Sequence, residues 1–220
     1  MDLAHVNRWL LAPVVRPLLF LGGLLPALWL LGAAYADMLG ANPAEALIRA
    51  TGDWTLRLLC LALAITPLRV QLQLPALARW RRLLGLYAYF YAVLHLLCYA
   101  WFDMELVLAD MARDIARRPF ILVGFTALLL LTPLAATSWN GAIRRLGARR
   151  WQALHRLVYA VALLAVLHFF WMRAGKNDFA EVQAYAGVLG GLLGWRAWRA
   201  LRGQRTGAAV GGLGRDQGTR

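Results

Sequence analysis

The sequence predicts an all-α integral membrane protein, built as a bundle of six transmembrane helices with both termini in the cytoplasm. Of its 220 residues, 61% are hydrophobic and only 16% are charged. That composition is too apolar for a soluble domain of this size. Several apolar runs also approach the roughly 20 residues that a helix needs to cross a bilayer. These two observations predict the fold class.

The formal net charge of +13 falls mainly in the segments between the apolar runs. A strongly basic chain can bind nucleic acid, but basic loops between apolar segments are what membrane topology requires. We therefore expect the partner of this charge to be the lipid bilayer and not nucleic acid. The two cysteines, Cys60 and Cys98, lie inside apolar runs without CxxC spacing, so we expect no thiolate metal site.

Six apolar segments account for the predicted spans. The first, residues 17–36, ends like a signal-peptidase site, but its length and long charged leader favour an uncleaved span. The other five are predicted over about 52–70, 83–102, 119–137, 151–171 and 179–198. The chain thus divides into a cytoplasmic segment (1–16), a helical membrane domain (17–198) and a disordered basic tail (199–220).

Local signals support individual spans. Pro119 begins the fourth span, at a position where its missing N–H does no harm, and Pro133 is expected to bend the same helix near its end. The sixth span contains two overlapping GxxxG pairs, which allow close helix packing. These features concern packing and carry no chemistry.

Charge asymmetry predicts the orientation of the bundle. Loops 71–82 and 138–150 and the tail are strongly basic and nearly free of acid, whereas the opposite loops have mixed charge. The basic side of a membrane protein faces the cytoplasm. Both termini are therefore expected there.

Three histidines lie in apolar segments, where an ionisable side chain is costly and indicates function. Spans three and five run in the same direction. His95 lies thirteen residues beyond Arg82, and His168 lies eighteen beyond Arg150. At 1.5 Å per residue, both histidines should lie at similar depth in the outer half of the membrane. His155 should lie near the inner face.

Two imidazoles at one depth on parallel helices can be the axial ligands of a haem iron. No CxxCH motif is present, so the haem would be non-covalent, of the b type. We predict His95 and His168 as the pair, with His155 as an alternative ligand or the ligand of a second cofactor. Thirteen residues separate His155 from His168, roughly 140° in azimuth, so both face one partner only if the helix deviates or the bundle wraps around them.

Most loop arginines are expected to set topology. A minority, with Arg81 and Arg82 as the candidates, is suited to pair with haem propionates or a flavin phosphate, because the guanidinium group matches planar anions.

Three stretches carry a family resemblance: RWRRLLGLYAYFYAVLH (79–95), TSWNGAIRRLG (137–147) and WQALHRLVYAVALLAVLHFFW (151–171). They resemble the MsrQ family, formerly YedZ, the haem-binding membrane subunits of periplasmic protein-methionine-sulfoxide reductase systems. The wider superfamily has a ferric-reductase-like transmembrane domain, with two histidines on each of two helices. Here the third span keeps only His95, and Arg81 stands fourteen residues earlier. A second bis-histidine haem therefore lacks a ligand.

The resemblance implies a division of labour. Proteins of this family sit in the bacterial inner membrane and take electrons from the quinone pool, with haem b and FMN. They pass them to a soluble periplasmic molybdopterin subunit, which reduces methionine sulfoxide in oxidised proteins. The membrane chain is then a non-catalytic electron-transfer subunit. We expect that partner to dock over residues 103–118 and 172–178.

Other interpretations of the histidines remain. They could titrate as relays in a proton or ion transporter, although the spans contain few acids, Asp53 being the nearest. The chain could also be a b-type cytochrome with a different acceptor, or a purely structural anchor. The visible spectrum of the purified protein separates a haem protein from the transporter and the anchor.

Overall fold

A computed structural model describes residues 2–175, 177 and 179–213, and within those residues the regular structure is helical. The α-helices are α1 (Leu3–Leu10), α2 (Val15–Tyr35), α3 (Pro43–Gln71), α4 (Ala78–Phe102), α5 (Leu108–Arg117), α6 (Pro119–Ala136), α7 (Asn140–Leu146), α8 (Ala148–His155), α9 (Leu157–Ala174) and α10 (Ala180–Leu213). A 3-10 turn, Pro75–Leu77, leads directly into α4.

Four helical segments of the described chain are long and apolar enough to cross a membrane. They are Val15–Tyr35, Pro75–Phe102, Pro119–Ala136 and Ala148–Ala174. The prediction of an all-helical membrane protein is therefore confirmed. The predicted second and sixth spans fall on α3 and α10, which have 29 and 34 residues. Both are long enough to cross, but they carry more charge, as with Asp53 and Arg57 on α3.

Contacts between the long helices define their relative directions. The start of α3 lies beside the end of α4, and the start of α6 lies beside the end of α9. Contacts between α2 and α4 instead advance in the same direction along both helices, and so do those between α3 and α10. Helices α2, α4 and α9 therefore run one way, and α3, α6 and α10 run the other way.

Tyr91 is the central residue of the core and is fully buried. Its hydroxyl accepts a hydrogen bond from the N–H of Ala27 (3.0 Å) and donates one to the carbonyl of Gly23 (2.8 Å). An uninterrupted helix would pair that same donor and acceptor. Pro26 lies inside α2 between these two residues, directly before Ala27, and proline commonly kinks a helix. The Tyr91 hydroxyl thus attaches α4 to α2 at the proline.

Helix α3 begins nine residues before the predicted second span. The sequence there contains a helix N-cap, which a search for apolar segments does not detect. The Asn42 side chain accepts from the N–H of Glu45 (3.1 Å), and Pro43 occupies the first helical turn. The capped helix therefore extends into the polar stretch after the first span.

The structure also places helices in two predicted loops. Within 103–118, α5 is amphipathic, and its Ile115 is buried against the bundle. Within 138–150, α7 is short and ends at Gly147, which has a positive φ of 75°. Both helices are too short and too charged to have appeared as spans.

Two further boundaries differ from the prediction. The fifth span is broken at Arg156, where α8 ends and α9 begins. Helix α10 continues to Leu213, beyond the predicted end of the sixth span at residue 198. The sequence after Trp198 contains no proline and begins with good helix formers, so nothing stops the helix there. Residues 214–220 of the predicted tail lie outside the described residues.

We predict that Tyr91→Phe destabilises the protein by about 1–3 kcal/mol, because two main-chain groups lose a partner inside an apolar bundle. Tyr89→Phe, on the same helix and partly buried, is the matched control and should have little effect. Thermal unfolding of the purified protein in detergent measures both. Equal melting temperatures for the two variants would contradict the role assigned to the Tyr91 hydroxyl.

Candidate functional site

The structure brings His95 of α4 and His168 of α9 together. Their ring centres are 6.2 Å apart, and the two ring planes make an angle of 74°. The two helices run parallel, and both rings lie in the second half of their helix, near its end. His155, the third predicted site residue, is not part of this pair and lies at the opposite end of the bundle.

Each histidine of the pair is held by a main-chain carbonyl on a neighbouring helix. The Nδ1 atom of His95 lies 2.8 Å from the oxygen of Ile48 on α3. The Nδ1 atom of His168 lies 2.7 Å from the oxygen of Phe120 on α6. A carbonyl only accepts hydrogen bonds, so Nδ1 carries the proton and donates it. The lone pair of each neutral ring is therefore on Nε2, the nitrogen that is left to bind a metal.

Thr51 adds to the environment of His95. Its side chain is buried. Its hydroxyl donates a shared hydrogen bond to the carbonyl oxygens of Leu47 (2.8 Å) and Ile48 (2.9 Å) within α3. The same hydroxyl lies 3.5 Å from Nδ1 of His95, at the limit of a hydrogen bond. The carbonyl oxygen of Ile48 thus accepts hydrogen bonds from both Thr51 and His95.

A cavity of about 500 Å³ contains both imidazoles. Its walls come from α3, α4, α6 and α9 and are mostly apolar, whereas charged side chains line one end. That end includes Arg49, Asp53, Arg118 and Arg173 and lies where α4 ends and α6 begins. Cofactor sites typically have volumes of roughly 300–1,000 Å³, apolar walls and a few polar groups. The cavity has these properties.

The spacing of the two rings fits a metal between them. A metal–imidazole bond is about 2 Å, and each ring centre lies about 1.1 Å from its nitrogen, so two ligands on opposite sides of one metal have ring centres about 6.2 Å apart. The observed separation is 6.2 Å. Two histidines supply two ligands, which suits an iron whose other ligands come from a macrocycle, as in haem.

His155 belongs to a separate polar cluster at the other end of the bundle. Its Nε2 atom lies 3.2 Å from the Thr137 hydroxyl, and the Trp151 ring stacks on it at 3.9 Å. Arg81 lies close enough to interact electrostatically with His155. Arg82 donates to the side chain of Asn140 at 3.1 Å.

The arginines predicted to bind a cofactor are therefore distant from the histidine pair. Arg81 and Arg82 stand fourteen and thirteen residues before His95 on one helix, roughly 20 Å away. Any group held between His95 and His168 faces the charged end with Arg49 and Arg118 instead. These residues were not singled out from the sequence, because no motif distinguishes them from other loop arginines.

The fold and the histidine pair define the class: a helical membrane protein with two neighbouring histidines in its apolar interior. The family model for the ferric reductase like transmembrane component matches residues 51–166. The chain belongs to this family and, within it, to the MsrQ proteins, which confirms the resemblance of the three sequence stretches.

Several curated proteins named protein-methionine-sulfoxide reductase heme-binding subunit MsrQ are similar over most of the chain. The protein from Polaromonas naphthalenivorans is 63% identical over 213 residues, covering 95% of this chain and 97% of its own length. The one from Ralstonia nicotianae is 53% identical over 198 residues, covering 90% and 91%. The one from Herminiimonas arsenicoxydans is 47% identical over 199 residues, with the same coverage. No solved structure shows significant similarity to the chain.

Proposed function

We propose that this protein is a haem b electron-transfer subunit of the bacterial inner membrane. In this proposal it passes electrons from the quinone pool to a periplasmic, molybdopterin-containing methionine-sulfoxide reductase subunit. The observation that carries the proposal is the His95–His168 pair, with ring centres 6.2 Å apart in an apolar cavity. The printed names of the relatives, heme-binding subunits of protein-methionine-sulfoxide reductase, support it.

His95 and His168 would hold the haem iron through their Nε2 atoms. A haem bound there supplies one-electron transfer. The residues of the chain contribute the rest: the carbonyls of Ile48 and Phe120 orient the rings, and the apolar walls exclude water. Hydrogen bonds to the axial ligands and burial of this kind set the reduction potential of a haem.

The orientation in the membrane is part of the proposal. The basic segments 71–82 and 138–150 favour a cytoplasmic location for the starts of α4 and α8. The charged end of the histidine cavity then faces the periplasm. The alternating directions of α2, α3, α4, α6, α9 and α10 support six crossings, with α3 and α10 as the two more polar spans.

The electron donor is proposed to be a membrane quinol, and FMN remains a prediction from the family resemblance. The His155 cluster supports a second functional region at the cytoplasmic end. It combines an imidazole, the Thr137 hydroxyl and the positive charge of Arg81 at the level where a lipid-soluble donor meets the membrane surface. We propose this cluster as the donor side.

The acceptor is proposed to dock at the opposite end, over α5. A recess of about 440 Å³ lies there, lined by acidic and basic side chains that include Glu105, Asp110, Arg113 and Arg117. Mixed charge of this kind orients a partner more than it adds affinity. The recess lies at the end of α4, and the cavity with the histidine pair opens beside it. An electron acceptor bound there would be near the proposed haem.

The ligand assignment predicts distinct phenotypes for the three histidines. We expect His95→Ala and His168→Ala each to abolish or severely perturb the low-spin haem spectrum, because each removes one axial ligand. His155→Ala should keep that spectrum. Visible spectra of the purified proteins, oxidised and reduced with dithionite, measure this. A colourless wild-type protein from haem-replete cells would contradict the proposal and favour the transporter. If His168→Ala keeps the native spectrum while His155→Ala loses it, the proposed pair is wrong and His95 with His155 replaces it.

The topology predicts the side on which each fusion reporter works. A reporter placed after Gly40 should be active only as a periplasmic enzyme. Reporters placed after Gln73 and after Arg220 should be active only in the cytoplasm. The pair at Gly40 and Gln73 tests α3 directly, because a helix that does not cross would give both fusions the same location. Periplasmic activity after Arg220 would contradict the six-span orientation.

The docking surface predicts which charge changes slow the partner. Asp114 is a poor site for the test, because it accepts from the Tyr99 hydroxyl at 2.8 Å and pairs with Arg118 at 2.8 Å. Glu105 and Asp110 are exposed. We expect the double variant Glu105→Lys, Asp110→Lys to slow reoxidation of the reduced protein by its purified partner at low salt, with haem content unchanged.

The matched control for docking is Arg149→Glu, an exposed charge reversal at the other end of the bundle. It should leave the reoxidation rate unchanged in stopped-flow measurements. If the double variant and the wild type react equally fast at low and at high salt, docking over α5 is excluded.

A further inference from the structure

The two ligand histidines are held in the same way by two different helix pairs. On α3, the carbonyl that binds His95 belongs to Ile48, and Gly52 follows it by four residues. On α6, the carbonyl that binds His168 belongs to Phe120, and Gly124 follows it by four residues. Each imidazole therefore contacts a helix at a carbonyl and at the glycine one turn later.

Both glycines are in close contact with the rings. A Cβ atom at Gly52 would lie 3.2 Å from Cε1 and 3.3 Å from Nδ1 of His95. A Cβ atom at Gly124 would lie 2.8 Å from Nδ1 and 2.9 Å from Cε1 of His168, closer than real Cβ atoms approach. By contrast, a Cβ at Gly85 or Gly32 would meet nothing within 4 Å. Gly23 and Gly141 are also closely approached, but by the Tyr87 and Trp139 rings, so close contact with an imidazole is particular to Gly52 and Gly124 among the glycines that the structure describes.

The reason lies in helix geometry. Residues four apart lie on the same face of a helix, one above the other. An imidazole that donates to the carbonyl of residue i therefore lies over residue i+4. A side chain there would push the ring away from the helix and lengthen bonds that are now 2.8 Å and 2.7 Å.

We propose that Gly52 and Gly124 are positioning residues for the axial ligands, which they control through the Nδ1–H···O=C bonds. This inference rests on the proposed haem between His95 and His168. A strong bond from Nδ1 makes the imidazole a more basic ligand, and a more basic ligand favours the oxidised iron. The two glycines would then keep the reduction potential of the haem low. They would also hold the two imidazole planes at their observed angle of 74°.

The test uses the purified full-length protein, with Gly124→Ala, Gly52→Ala and the control Gly85→Ala. A redox titration followed in the visible spectrum gives the midpoint potential. Electron paramagnetic resonance of the oxidised protein reports the angle between the imidazole planes, since near-perpendicular planes give a strongly anisotropic low-spin signal. Neither readout depends on activity with a partner.

We expect the midpoint potential to rise in both glycine variants and the anisotropy of the low-spin signal to change. The effect should be larger for Gly124→Ala, where the added carbon comes closer. Gly85→Ala should match the wild type in both measurements. If Gly124→Ala does not fold or does not retain haem, Gly52→Ala decides the question, because its neighbour needs to move by only a few tenths of an ångström.

The outcomes separate this inference from the proposed function. If both glycine variants keep full haem content with the wild-type potential and resonance signal, the positioning role is wrong and the haem assignment stands. If the wild type shows no bis-histidine low-spin signal, or if His168→Ala retains it, the haem assignment itself fails.

Discussion

The hydrogen bonds from His95 and His168 to main-chain carbonyls are the interactions on which the site depends. Inside a membrane, no water is available to satisfy an imidazole N–H, and an unpaired polar group there costs several kcal/mol. The carbonyls of Ile48 and Phe120 meet that need without adding a charge. They also decide the tautomer, which leaves Nε2 free on each ring. One bond per histidine thus satisfies the donor, orients the ring and leaves the lone pair on Nε2.

The same bonds determine which helices pair. Helix α3 must lie against α4, and α6 against α9, close enough for a carbonyl to reach an imidazole. Two such pairs, with α4 and α9 parallel, bring the two imidazoles together across one cavity. The ends of the bundle then differ in chemistry: His155, Trp151 and Arg81 gather at one end, and the charged mouth of the cavity opens at the other. The proposed transfer of electrons across the membrane needs two such distinct ends.

Much of the fold could be predicted from the sequence. Apolar length placed the spans that became α2, α4 and α6 within a few residues of their observed bounds. Hydropathy missed α5 and α7, which are short and carry charge, and it missed the early start of α3, which the Asn42 cap decides. The break at Arg156 was also missed, because good helix formers surround it. The two rings of His95 and His168 lie 6.2 Å apart, in agreement with the similar depths that the helix rise predicts.

The sequence by itself determined the class of protein, the histidine-bearing segments and their depths, since these depend on composition and on the fixed rise of a helix. Only the tertiary structure decided which groups hold the rings and which residues stay apart. The partners of His95 and His168 are main-chain carbonyls, 47 and 48 residues away in the chain, and every residue type carries one. Nothing in the sequence distinguished Gly52 and Gly124 from Gly85 or Gly32, because a glycine becomes a contact only when another helix packs over it.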